Sequence, residues 1–255
     1  MNTAQKAEIL EVLQSGKMEI EGLLPWSSNY AFLVRLCEGT QELRAVYKPS
    51  RGERPLWDFP SGTLSSREYA TFLVSEALGW SLVPPTVIRN GEHGRGSVQL
   101  FIKHDPDLHY FSFEGEPGYR PSLQKMALLD VIINNADRKG GHVIIEENSV
   151  GKSPGSHEPY GRLWGIDHGI CFHHEYKLRT VIWEFAGMDI PEDLISDLEQ
   201  FANHFADSDG LLRLQLADLL NKIEIAASEK RLQALIKRSI FPNPGPGRHY
   251  PWPPV

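Results

Sequence analysis

An α+β fold in two lobes follows from three features of the sequence. Short strand-like runs fill roughly the first hundred residues, one helical run interrupts them, and the stretch from Pro191 to Arg238 is helical in pattern. With 255 residues, 41% of them hydrophobic, the chain suits one large domain or two lobes sharing a cleft, and it has enough apolar side chains for a packed core.

Ile9, Val12 and Leu13 share one helical face, and Gly16 stands where a C-cap would end that helix. KMEIEGLL, YAFLVRLCE and LRAVYK then read as strands of a β-meander, with EGTQ as the turn between the last two. A Pro- and Gly-rich connection, PSRGERPLWDFPSG, leads into LSSREYATFLVSEALGW, where Tyr69, Phe72, Leu73 and Leu78 recur at helical intervals before Gly79. PPTVIR and SVQLFIK are two further strands separated by the turn-rich NGEHGRG.

After a polar stretch, SLQKMALLDVIINN is strongly helical and runs through ADRKGGH into the strand HVIIEE. The loop ENSVGKSPGSHEPYG precedes the short strand RLWGI and then DHG. LLRLQLADLLNKIEIAA and KRLQALIKR continue as helices, and FPNPGPGRHYPWPPV holds too much proline for regular structure and reads as an extended tail. The expected boundaries are an N-lobe at 1–103, a C-lobe at 104–241 and a tail at 242–255.

The formal charge of −7 lacks the basic excess of a nucleic-acid binder. Cys37 and Cys171, far apart in apolar runs, read as buried free thiols of a reducing compartment. The N-terminal residues alternate charge with apolar side chains, unlike a signal peptide, and no apolar run reaches the length of roughly 18 residues needed to span a bilayer. The expectation is a soluble cytoplasmic protein with no stable membrane anchor and no nucleic-acid partner. Eight histidines, His93, His104, His109, His157, His173, His174, His204 and His249, scatter without the spacing of a zinc site. A serine nucleophile elbow, a dinucleotide glycine fingerprint and a Walker-type phosphate loop are all absent from the sequence.

Four positions carry the chemistry. Lys48 ends the strand LRAVYK; taken alone it is an ordinary solvated strand-end lysine. Glu68 opens the following helix, and Ser65-Ser66-Arg67-Glu68 also has capping-box spacing, so ion pair and helix cap compete for one carboxylate. NNADRKGGH packs Asp137, two cations, two glycines and His142 between a buried helix and a strand; as a plain helix-ending turn it would use Asn135 and Gly140 for unusual dihedrals. Asp167 follows the apolar strand Leu163-Trp164-Gly165-Ile166 and precedes His168-Gly169. Strand lysine, helix glutamate, Asp loop and Asp-x-Gly appear in the order that kinases use to position ATP phosphates, orient the acceptor hydroxyl and hold magnesium.

These residues resemble the phosphatidylinositol 3- and 4-kinase family, and look most similar to type II phosphatidylinositol 4-kinases and their soluble bacterial relatives. The resemblance spans roughly Leu24 to Pro191 through SSNYAFLV, VYKP, REYATFLVSEALGWSLVPPTV, GSVQLFIKHD, NNADRKGGH and GIDHGICF. It implies a bilobal, atypical protein-kinase-like fold, with an antiparallel N-lobe sheet carrying one helix and a mainly helical C-lobe. It implies that Ser27, Ser28 and Asn29 approach the phosphates, that Lys48 contacts them and that Glu68 is its partner. Gln99, Leu100 and Phe101 would line the adenine pocket, Asp137 would be the catalytic carboxylate, and Asp167 the principal ligand of Mg²⁺ (or Mn²⁺).

Where the family has Asn, five residues after the catalytic Asp, this chain has His142, whose imidazole would either weaken the second-metal site or tune it toward Mn²⁺. The cysteine-rich insertion that anchors type II lipid kinases is missing, and no polybasic cluster replaces it. The activity implied is transfer of the ATP γ-phosphate to a hydroxyl of a protein or small cytoplasmic molecule. A nucleotide-binding pseudokinase and a protein nucleotidyltransferase using the same cleft remain the alternatives.

Overall fold

The computed structural model describes residues 2–24, 29–147 and 159–255. Helix α1 (Thr3–Ser15) opens with a capping box, Asn2 accepting from the Gln5 amide while the Gln5 side chain reaches back to the Asn2 amide. Gly16 ends this helix, but with φ −55° and not by a left-handed turn. Its role is close approach, because a Cβ there would lie 2.6 Å from the Val12 carbonyl oxygen.

Five strands follow: β1 (Lys17–Leu23), β2 (Phe32–Glu38), β3 (Gln41–Pro49), β4 (Thr86–Gly91) and β5 (Gly94–Leu100). They form one sheet in the order β1-β2-β3-β5-β4, antiparallel throughout. Val12 and Leu13 of α1 pack on Val34, Leu36, Ala45, Tyr47, Val87 and Val98 from one face of this sheet, each buried Val or Leu contributing about 1.5–3 kcal/mol. The turn-rich NGEHGRG is shorter as a turn than its composition suggests: β4 and β5 extend into it until Gly91 pairs with Gly94. At the other end β5 stops at Leu100, and Phe101 donates to the Arg44 carbonyl before the chain leaves the sheet.

Helix α2 (Leu64–Ala77) crosses from this sheet to the helical lobe. Its Arg67 is buried and fixes the crossing: it donates to Glu224 Oε1 at 2.6 Å and to the Cys171 carbonyl at 2.6 Å, with its guanidinium 4.8 Å from the Phe59 ring centre. Helix α2 is thereby tied to the C-lobe by a fully bonded buried ion pair.

The C-lobe begins with β6 (His104–His109) and the short α3 (Tyr110–Phe113), both within the stretch that reads only as polar in sequence. Helix α4 (Arg120–Ile133) is its axis, burying Leu123, Met126, Leu128, Leu129, Ile132 and Ile133. Strands β7 (Val143–Glu146) and β8 (Leu163–Gly165) complete a small sheet ordered β6-β7-β8. The C-terminal helical stretch divides into α5 (Glu192–Ala206), α6 (Leu211–Leu219) and α7 (Lys222–Arg238). Asn221 caps α7 by accepting from the Ile223 and Glu224 amides, while Glu224 reaches back to the Asn221 amide.

Residues 242–255 form no helix or strand, yet Pro251 is buried. Both cysteines are free, Cys171 buried and Cys37 only half-buried. Among the described residues no helix is long and apolar enough to cross a membrane.

Candidate active site between the lobes

Alternation along β3 decides where Lys48 points. Ala45 and Tyr47 are buried in the α1-facing core, so Lys48, one residue on, projects from the opposite face into the cleft between the lobes. There its Nζ lies 2.6 Å from Glu68 Oε1 and 2.8 Å from Asp167 Oδ1, joining β3, α2 and the turn after β8. Burial alone would depress the lysine, but the carboxylates of Asp167 and Glu68 outweigh it and raise its pKa, so it stays charged. Lys48 in turn holds the Asp167 carboxyl well below the usual carboxylate range. Glu68 also accepts from the His168 backbone amide.

The helix-cap alternative for Glu68 does not hold. Helix α2 starts at Leu64, so Ser65 lies inside it and donates no cap. The exposed first amides, those of Leu64 and Ser65, are satisfied by Glu53, whose two carboxylate oxygens accept from them at 3.1 and 2.9 Å. With its helix end served from another segment, Glu68 is free to bind Lys48.

The Asp137 loop is built from the end of α4. Asn134, and neither Asn135 nor Gly140, takes the left-handed conformation that ends the helix, at φ +51°. Its side chain donates to the His173 and Glu175 carbonyls and accepts from the Lys177 amide. Asn135 accepts from the Asp137 amide at 3.0 Å and donates to Asp130. Asp137 opens onto the cleft with Lys139 Nζ 3.5 Å from its Oδ2. Burial raises its pKa to about 6, Lys139 pulling against that rise.

Arg138, between the two, turns inward and is the residue that sequence reasoning missed. With no exposed side-chain surface it binds Asp130 through Nε and Nη2, the Nη2 contact at 2.9 Å. Its Nη1 donates to the carbonyls of His142 and Ile166, both at 3.1 Å. A further contact of 2.6 Å joins Nη2 to His168 Nε2, which must therefore present its lone pair. Burial, and then Arg138, keep His168 neutral. One guanidinium thus ties α4, the Asp137 loop and the Asp167 turn together.

Asp167 itself sits at φ +60°, a backbone conformation that costs a non-glycine residue energy and that clusters at functional sites. Its Oδ2 lies 3.3 Å from His142 Nε2. His142 Nδ1 lies 2.8 Å from the Asp137 carbonyl and 3.4 Å from the Lys139 amide; with the shorter contact made through an Nδ1 proton, the Nε2 lone pair faces Asp167. Burial lowers the pKa of His142 to about 4, so the ring is neutral near pH 7.

A neutral imidazole nitrogen and a carboxylate oxygen facing each other are a fitting donor pair for a divalent cation. Among the described residues no three His, Cys, Asp or Glu side chains form a ready cage. Two protein donors with the rest left to water and phosphate is the usual arrangement for Mg²⁺.

The cleft around this cluster encloses about 40 Å³ and is lined by Asn29, Lys48, Glu68, Asp137, Asp167 and Ile170 among others. A larger cavity, about 630 Å³, lies elsewhere, between α1, the β4–β5 hairpin and α6, and contains none of the expected site residues. The expected site residues Lys48, Glu68, Asp137 and Asp167 line the smaller one. Asn29 lines the cleft, its Oδ1 accepting from the Arg54 amide at 2.8 Å; Ser27 and Ser28 lie outside the described residues.

Of the three expected adenine-pocket residues, Leu100 packs with Ile102 and Ile166 in an apolar cluster beside the Asp167 turn. The Gln99 side chain is occupied by Thr86, and the Leu100 and Phe101 amides are bonded to Pro85 and Arg44. Ile102 and Ile166 had no mark in sequence beyond lying in apolar strands.

The sequence profile described as phosphatidylinositol 3- and 4-kinase matches residues 88–209, which include Asp137, His142 and Asp167 but begin after Lys48 and Glu68. Protein Rv2133c of Mycobacterium tuberculosis (strain ATCC 25618 / H37Rv) is 37% identical over 95% of this chain and 94% of its own length. Phosphatidylinositol 4-kinase gamma 8 of Arabidopsis thaliana is 26% identical over 92% of this chain but only 48% of itself, so the chain spans about half of that plant kinase.

Among solved structures, the Golgi casein kinase with Mn/ADP bound superposes with a TM-score of 0.59 at 16% identity, over 93% of this chain and 76% of that one. Hydra Fam20 does so at 0.53 and 15%, over 93% and 90%. The fold is the bilobal fold of atypical kinases. By sequence, the chain fits a phosphatidylinositol 3- and 4-kinase-like family through its match over residues 88–209, within a phosphotransferase-like superfamily.

Proposed function

We propose that this protein transfers the γ-phosphate of ATP to a hydroxyl group of a protein or small cytoplasmic molecule. The observation that carries the reading is the Lys48 cluster: one ammonium bonded to Glu68 at 2.6 Å and to Asp167 at 2.8 Å, with Asp137 on the same cleft. Such a lysine, fixed by a helix carboxylate, is placed to meet phosphate oxygens as a point charge. Asp167 and His142 would hold Mg²⁺ or Mn²⁺, which when bound neutralises charge on the phosphates. The structure resembling this chain that was solved with Mn and ADP supports nucleotide and metal use.

The protein's own contribution is positional. Lys48 and Asn29 border the phosphate side, with Ser27 and Ser28 next to Asn29 in sequence, and Leu100 lies on the adenine side with Gln99 and Phe101 beside it. Asp137 accepts a hydrogen bond from the acceptor hydroxyl and aims its oxygen at the γ-phosphorus, and Lys139 beside it offsets the charge of the group in transit. His142 in place of Asn favours Mn²⁺ over Mg²⁺ relative to the family.

The test is incubation with γ-labelled and with α-labelled ATP, in Mg²⁺ and in Mn²⁺, following label onto protein and into released phosphate. Movement of γ label supports the kinase reading. Transfer of α label would instead make the protein a nucleotidyltransferase, and binding without transfer of either would make it a pseudokinase.

A further inference from the structure

The Pro-rich segment after α7 is in contact with the Asp137 loop. Its beginning is anchored where the buried Phe241 exchanges backbone hydrogen bonds with Gly187 and Met188 and packs its ring 5.5 Å from Phe185. Further on, the His249 carbonyl accepts from two donors at once, the Thr180 amide and Trp183 Nε1, each at 3.2 Å. Thr180 is bridged to Arg138: the Arg138 amide donates to the Arg179 carbonyl at 3.0 Å and the Val181 amide donates to the Arg138 carbonyl at 3.1 Å. Finally the Pro254 carbonyl accepts directly from the Gly140 amide at 2.7 Å. Gly140 has no room for a side chain there, since a Cβ would lie 2.9 Å from the Phe111 ring and 3.5 Å from the Pro254 oxygen.

We propose that residues 248–254 form a strap that positions the catalytic loop from outside the cleft, holding Gly140 directly and Arg138 through Thr180. Two proline-restricted stretches, Pro251 and Pro253-Pro254, limit the conformations open to the strap and so the entropic cost of fixing it, which suits a segment that acts through backbone carbonyls. Asp137 and His142 flank Gly140 at either end of a short loop, so an untethered Gly140 loosens the segment between them, whereas Lys48 and Glu68 stand on β3 and α2. The effect on turnover rests on the phosphotransfer reading. The effect on the loop does not.

The test compares the full chain, a chain lacking residues 248–255, and the full-length Trp183→Phe, which removes one of the two donors to His249. Amide hydrogen exchange at Gly140, transfer or release of γ-phosphate with Mn²⁺, and the rise in Tm on adding ATP and Mn²⁺ are read on each. Exchange at Gly140 should accelerate at least about tenfold in the shortened chain and less in Trp183→Phe, as expected when two or three hydrogen bonds stop restraining a loop. Transfer should fall in the same order, while the nucleotide-induced Tm rise is kept.

Unchanged exchange at Gly140 would overturn the strap, as would fast exchange with undiminished transfer. Loss of the Tm rise together with transfer would also contradict it, because the site as a whole would then depend on the segment. If the shortened chain does not fold, Trp183→Phe decides by the same criteria. Absence of γ-phosphate transfer by the full chain would refute the proposed function instead, with exchange still deciding whether the strap holds the loop.

Discussion

Two cation–carboxylate clusters lie side by side in this protein, and they differ in access. Arg138 and Asp130 have no exposed side-chain surface, and every arm of the guanidinium is bonded within the protein. Lys48 keeps 20% of its side chain exposed, and its partner Asp167 keeps 46%. The first cluster has no capacity for an outside partner. The second can exchange a contact with Asp167 for one with a phosphate or a metal without unfolding anything. Equal chemistry thus divides into architecture and function by burial, and substitutions in the two clusters should separate stability from activity.

The largest effect should come from breaking the sealed pair. Arg138→Met leaves Asp130 buried without its cation, a change that costs about 3–5 kcal/mol. Denaturant unfolding should show that loss, and a variant of near wild-type stability would mean that Asp130 finds another partner. Next in size is Asp137→Asn, expected to cut γ-phosphate transfer by about 10²–10⁴-fold, or roughly 3–5 kcal/mol of barrier, with folding stability and ATP binding nearly intact. Wild-type turnover in that variant would remove Asp137 from the reaction.

Glu68→Gln should cost less, roughly 10- to 100-fold in transfer, the worth of one hydrogen bond to a charged group. Because Glu53 caps α2, helix stability should be little changed; a large stability loss with full activity would assign Glu68 to structure. The smallest effect is a change of preference. His142→Asn replaces a nitrogen donor by an oxygen donor and should move the Mn²⁺-to-Mg²⁺ activity ratio toward Mg²⁺. An unchanged ratio would mean that His142 is not a ligand.

The accessible cluster was the more legible of the two in sequence. Lys48, Asp137 and Asp167 stand at or just past element ends and Glu68 in the second turn of its helix, each in a local pattern that sets it apart, and their order along the chain is itself a signal. Arg138 and Asp130 are an ion pair between a helix interior and a loop, and nothing in hydrophobic periodicity marks such a pair. Glu53 was illegible as a cap for the same reason, since it serves α2 from a separate segment.

The strands β1 to β5 and the helical pattern of the C-lobe followed from alternation and helical spacing. Strand β6 did not: HDPDLH is polar, contains proline, and pairs with β7 only at His104 and His109. The strap was read as a tail because the hydrogen bonds that tie it to the rest of the protein are accepted by backbone carbonyls, which every residue possesses and which therefore leave no trace in composition.

The most direct test of the contrast between the clusters is thermal unfolding with ATP and a divalent metal, in the wild type and in Asp167→Asn. A ligand held by the accessible cluster stabilises only the folded state, by about 2.7 kcal/mol at a hundredfold excess over Kd, which for a chain of this size raises Tm by roughly 5–10 °C. The account predicts that rise in the wild type and the loss of its metal-dependent part in Asp167→Asn. An unchanged Tm in the wild type, or an undiminished metal-dependent rise in Asp167→Asn, would contradict it.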